Sequence, residues 1–189
     1  MIFLKMLDFL LTRLDKMPHN PNEKLALAVE RLWASGVYEE RGDHLALLTS
    51  NGWAWAIPRG LTDYCGHTVA VAGRGLLLDA ICSKTLPSNE RLAGHGPAGS
   101  AFETPPETPG AQDIRRGDIV TVNASKKRPY GSHIVLAMGS VDDAGVFPTI
   151  EGNSNGRRAD GTMGKGVVKK HRRTNDVARV YRLTGDHYE

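Results

Sequence analysis

Four residues set the chemical possibilities of this 189-residue chain: Cys65, His133, Glu151 and Asn153. Cys65 follows the run Leu61-Thr62-Asp63-Tyr64 and opens CGHTVAVAG, a pattern that predicts a helix capped by Thr62 or Asp63 with the thiol in its first turn. There the unsatisfied backbone N–H groups and the positive end of the helix dipole favour the thiolate, the nucleophilic form of cysteine. Such a thiolate attacks acyl carbons when a histidine serves as its base and a third polar group holds that histidine. His133 is the expected base, because it opens the strand-like SHIVLAMG directly after the turn RPYG. One strand further on, TIEGNSNG sets Glu151 and Asn153 two apart, hence on one face if the strand runs through Gly152. Either could accept the imidazole N–H and fix its tautomer.

The other chemistry-bearing side chains read as structural. Cys82 lies in the apolar run AICS and belongs to a core, and with only two cysteines a disulfide framework is excluded. His67, two residues past Cys65, faces another way on a helix and is assigned to the surface or a pocket rim. His95 sits in the loop GHGPAG, and Asp118 in the GD turn is expected to form an Asx turn at a strand start. Gly73-Arg74-Gly75 lacks both the preceding strand and the following lysine of a phosphate-binding loop. Trp53 and Trp55 alternate like strand residues and could line a groove, and Tyr64 and Ser132 flank the nucleophile and the base, so Tyr64, Trp55 and Ser132 are the candidate substrate contacts. No metal-ligand spacing is present, and neither metal nor cofactor is expected.

These residues must be held by helices that come first and strands that come after. MIFLKMLDFLLTRLDKM has Leu4, Leu7, Leu11 and Leu14 at helical spacing, with charges interrupting every apolar run before it reaches signal-peptide or transmembrane length. PHNP then breaks the chain, and NEKLALAVERLWAS predicts a second helix with Asn22 as N-cap. HLALLTSN is too short to assign, and Leu86 to Gln112, dense in Pro, Gly, Ser and Thr, reads as a long loop. Beyond it GDIVTVNA, SHIVLAMGSV, VFPTIEG, KGVVKKH and VARVYRL read as short strands, with Asp142, Asp143 and Gly145 marking a hairpin turn. The order predicts an α+β fold with helices on one side of an antiparallel meander of about five to six strands. Residues 1–52 form a helical leader packed on or extending a catalytic unit of residues 53–189.

The formal charge of +3 and the basic runs KKRPYG and GRRADGTMGKGVVKKHRR favour an anionic partner, while no zinc-finger or RNA-recognition pattern accompanies them. No specific nucleic-acid partner is therefore expected, and Lys169 to Arg173 reads as a solvated strand edge.

CxxxVA at Cys65, GDIV at Gly117, GSHIVLAMG at Gly131 and IEGNSNG at Ile150, in that order, resemble the NlpC/P60 and CHAP superfamily of papain-like peptidoglycan hydrolases. The likeness spans about Ile57 to Leu183, and Thr68 stands where that family carries a bulky aromatic. It implies a papain-like fold in which Cys65 is the nucleophile, His133 the base, and Glu151 or Asn153 its orienter. The implied substrate is an amide bond at a peptidoglycan stem peptide or at the glycan–peptide junction, cut by a phage lysin or a secreted antibacterial effector. The absence of a signal peptide makes delivery to the periplasm or cell wall depend on a phage or a secretion system, and an effector implies an immunity or inhibitor protein. Two other readings share these residues: a cysteine amidase on another acyl substrate, and a non-catalytic adaptor that keeps the scaffold.

Overall fold

The structure is a computed structural model that describes residues 20–50, 54–60, 64–72, 107–127, 129 and 131–183. The expected leader helix, the helix caps Thr62 and Asp63, Trp53, Gly73-Arg74-Gly75, Cys82, His95 and most of the long loop lie outside these residues.

The first described helix, α1 (Pro21–Ala34), is capped by Asn20, two residues before the expected cap. Asn20 Oδ1 accepts from the backbone N–H of Asn22 at 2.9 Å, and Pro21 takes the first helical position, where a missing N–H costs nothing. Asn22 serves instead as a tether between α1 and the far end of the chain, since its amide donates to Leu183 O at 2.8 Å and accepts from Leu183 N at 3.0 Å. Leu25, Ala28, Val29 and Leu32 recur at helical spacing and are buried. Each large one among them stabilises the fold by about 1.5–3 kcal/mol. A 3₁₀ turn at Glu39–Arg41 leads to α2 (Asp43–Ser50), and the tryptophan-bearing stretch forms a 3₁₀ helix at Ala54–Arg59 rather than a strand. Pro58 fits that tight helix and would remove a donor from a strand ladder. Helix α3 (Cys65–Ala72) follows.

Five strands are then laid down: β1 (Ile119–Val122), β2 (His133–Ala137), β3 (Val146–Arg157), β4 (Met163–Arg173) and β5 (Val177–Tyr181). The hairpin between β2 and β3 turns where Asp142 predicts it, with Asp142 Oδ1 accepting from Ala144 N and Val146 N at 2.9 and 2.8 Å. All pairings are antiparallel, but the sheet order is β4-β3-β2-β1-β5, so the last strand returns to β1 and the arrangement is not the simple meander expected. Its connection consists of Thr174, Asn175 and Asp176 alone. A link that short spans at most about 15 Å, whereas the outer strands of a flat five-stranded sheet stand about 19 Å apart. The sheet must therefore curl until its edges approach at this end, and Val146 pairs with Arg173 there while Val122 pairs with Val177.

Curling gives the sheet two unlike faces. Ile119, Ile134, Leu136, Ile150, Val167 and Tyr181 meet α1, α2 and α3 in one core, so the helices sit on one side of the sheet and residues 20–50 share the core of the strands. Val120, Val122, Val135, Ala137, Phe147 and Val180 form a second core on the other side. Asp118, expected only to form a turn, does accept from Arg115 N at 2.9 Å and is also fully buried against Arg182, whose Nε and Nη2 donate to its two oxygens at 2.9 and 2.7 Å. Among the described residues no helix is long and apolar enough to cross a membrane.

Candidate active site

The site grows from a close approach between the first turn of α3 and a bulge in β3. Tyr64 O, just ahead of the helix, accepts from the Thr68 backbone N–H and from Thr68 Oγ1, both at 2.9 Å, which closes the first turn and leaves Cys65 as its first residue. This turn rests directly on Gly152, where an added Cβ would overlap Thr68 Oγ1 and lie 3.1 Å from Tyr64 O. Pairing of β3 with β4 slips between Glu151 and Ser154, and Asn153 takes a left-handed conformation with φ of 54°. The Asn153 backbone N–H reaches the Tyr64 hydroxyl, which also stands 3.5 Å from Glu39 Oε2. Strand and helix are thus pinned on both sides of the nucleophile. Gly152→Ala should lower stability by about 1–3 kcal/mol through overpacking and should slow alkylation of Cys65 as α3 lifts, to be read by thermal unfolding and by labelling the folded protein.

Strand alternation decides what stands beside the imidazole. His133, Val135 and Ala137 share one face of β2, and the register Ala137 to Thr149 places Phe147, Thr149 and Glu151 on that same face of β3. Opposite Phe147 on β4 stands Arg172. His133 Nε2 lies 3.0 Å from Glu151 Oε2, and the Cys65 side chain hydrogen-bonds the same imidazole, which leaves Nδ1 as the nitrogen for the thiol. Arg172 Nε and Nη2 donate to Glu151 Oε1 and Oε2, each at 2.7 Å, and Thr149 Oγ1 donates to Oε1 at 2.7 Å.

Electrostatics follow from this burial and pairing. Burial alone would raise the Glu151 carboxyl, but the Arg172 guanidinium, with His133 and Thr149, holds it well below the usual carboxylate range. For His133 burial opposes the imidazolium, and the hydrogen bonds and negative charge of Cys65 and Glu151 outweigh it, pushing the ring up from 6.5 to about 9. The line Cys65–His133–Glu151 thus links a thiol, an imidazole and an ionised carboxylate, groups of the kind that acyl transfer through a covalent intermediate requires.

The expected residues fare differently. Cys65, His133 and Glu151 are brought together. Of the two candidate orienters, Glu151 is the one on the imidazole, because the bulge at Gly152 and Asn153 ends the simple alternation that would have given both side chains one face. Tyr64, taken as a substrate contact, is instead wholly buried, its ring against His44 with centroids 5.2 Å apart. His67, assigned to the surface or a pocket rim, is also wholly buried, on a helix that packs into one core with α1 and α2. Burial pulls it down to about 4, so it stands neutral near neutral pH. Trp55 is 42% exposed with Arg59 stacked on its ring at 5.2 Å. Ser132 is exposed, its hydroxyl donating to Asn123 O at 3.3 Å. Sequence reasoning missed Arg172, placing it in a solvated basic run. Period-two alternation in KKHRR, once β4 is paired with β3, is the signal that turns it inward.

Comparison of the chain with protein-family models, curated proteins and solved structures found no match.

Proposed function

We propose that this protein is a cysteine amidase or endopeptidase that cuts an amide bond of bacterial peptidoglycan. One observation carries the reading: a cysteine at the start of a helix hydrogen-bonded to a strand histidine whose far nitrogen lies 3.0 Å from an arginine-held glutamate. Support for a papain-like arrangement comes from the nucleophile's helix lying on an antiparallel sheet that carries base and orienter on neighbouring strands. The choice of peptidoglycan rests on the resemblance of the four motifs, and it puts the site of action in the periplasm or cell wall.

In the mechanism, His133 takes the Cys65 proton and the sulfur attacks the amide carbonyl, with the oxyanion received by the Cys65 backbone N–H at the helix start. The tetrahedral intermediate collapses to a thioester as the imidazolium protonates the leaving amine. Water, deprotonated by His133, then releases the acid and regenerates the thiol. Muropeptide mass spectrometry after incubation with purified sacculi tests the assignment. New fragments with a free amine and a free carboxyl at one bond are the expected result, and an unchanged fragment pattern from the folded protein overturns the substrate.

The same proton sets a pH dependence. Because His133 must deliver it to the amine, kcat/KM should fall as pH rises through about 9. Stability follows the same sign: a group raised on folding contributes fully below its ordinary 6.5, and that contribution is lost as pH climbs through about 9. Rate profiles and thermal unfolding between neutral and alkaline pH check both, and a flat rate profile across that range would count against the imidazolium as the acid.

A further inference from the structure

We infer that Arg172 is a positioning residue of this site: by gripping both oxygens of Glu151 it holds the carboxylate in the one orientation that serves His133. The inference deepens the proposed function and rests on its pairing of Cys65 with His133.

A carboxylate offers about four lone-pair directions. Glu151 has all four occupied, by Thr149 Oγ1 and Arg172 Nε on Oε1 and by His133 Nε2 and Arg172 Nη2 on Oε2. Its side chain is 0% exposed, so no water competes for these positions. Rotating the carboxylate away from His133 would break the arginine fork, and the fork is anchored because Arg172 projects from β4, a strand laddered to β3 along most of its length. With one bond from Thr149 and one from His133, the carboxylate would keep its place but could swing about its own axis. The guanidinium removes that freedom through planar two-point geometry that an ammonium lacks.

Arg172 also keeps the orienter charged. The groups facing Glu151 are His133 on β2, Thr149 on its own strand and Arg172 on β4, with Cys65 of α3 beyond the imidazole and Asp176 beyond the guanidinium. Arg172 is the permanent cation of this set. Without it the buried carboxylate would have only a titratable imidazole to balance it, and its charge, on which the imidazolium depends, would be lost on acidification.

The test uses the full chain as wild type, Cys65→Ala, Arg172→Gln and Arg172→Lys, with three measurements: His133 titration by NMR, iodoacetamide alkylation of Cys65 read on its own peptide by mass spectrometry, and fragment release from sacculi. In Arg172→Gln an inflection between about pH 4 and 7 should enter the His133 and alkylation profiles, and fragment release should fall about 100-fold. In Arg172→Lys the restored charge should remove the inflection, while release stays at least about tenfold below wild type for want of the two-point grip. A folded Arg172→Gln with the wild-type profiles, or full release from Arg172→Lys, overturns the inference, and the Lys variant alone decides it where the Gln variant does not fold. Failure of the underlying reading looks different: Cys65→Ala would then leave the His133 midpoint where it is in wild type.

Discussion

Cys65→Ala should lower amide-bond cleavage by about 10⁵-fold or more, the scale seen when a covalent catalyst loses its nucleophile, while thermal unfolding at neutral pH stays close to wild type. The structural side of this expectation is that Cys65 is only half-buried at the first position of α3, so replacing sulfur with hydrogen opens no sealed cavity. The helix itself is held by other groups: Thr68 on Tyr64 O, Gly152 beneath the first turn, and the Asn153 backbone on the Tyr64 hydroxyl. On the chemical side, neither alanine nor the buried, neutral His67 can form a thioester, and the remaining donors could only polarise a bound carbonyl. The decisive comparison is fragment release from sacculi by both proteins, with acyl-enzyme trapped on Cys65 in the wild type alone. Equal release by the variant would remove the cysteine from the mechanism. A variant that fails to unfold cooperatively would show that Cys65 packs the helix start rather than serving chemistry.

How far the sequence leads can be seen residue by residue. The five strands were readable because their short β-type runs and turn residues are local, and so was His133 at a strand start. The pairing of Cys65 with His133 could be anticipated from a nucleophile at a helix start and a base at a strand start. What escaped is what depends on covering and register. Tyr64 and His67 are buried because α1 and α2 close over α3, and no local pattern in CGHTVAVA reports the arrival of other helices. Asn153 was read onto the face of Glu151, but the bulge between Glu151 and Ser154 interrupts the alternation on which that reading relied. Arg172 lies in a basic run whose neighbours Lys169, His171 and Arg173 are exposed, so composition pointed outward while pairing with Phe147 turned this one residue in. The N-cap shifted from Asn22 to Asn20 for a tertiary reason as well, since Asn22 is bound at both ends of its amide to Leu183.

Glu151→Gln is expected to damage stability and rate together, and the reason lies in donor counting. The carboxylate accepts from four donors, and the amide that replaces it has one accepting oxygen and turns an NH₂ toward two of them. If the amide oxygen keeps His133, the NH₂ faces Arg172 Nε and Thr149 Oγ1; if it keeps those, the NH₂ faces His133 Nε2 and Arg172 Nη2. Either way a largely buried guanidinium loses its counterion, and among the described residues Asp176 is the acidic group left to act on it. Removing one partner of such a pair costs about 3–5 kcal/mol, a fall of about 10 °C in Tm for a chain of this size. On the rate, loss of the anion that helps hold His133 at about 9 should move the alkaline limb down toward 6.5. Cleavage at neutral pH should then drop roughly 10²–10⁴-fold, the larger value if the ring adopts the wrong tautomer. The two effects separate by temperature, because a rate measured well below the lowered Tm reports the site alone. A Glu151→Gln variant that melts low yet cleaves at the wild-type rate with its alkaline limb still at about 9 would make Glu151 a structural counterion for Arg172 and return the orienting role to another group.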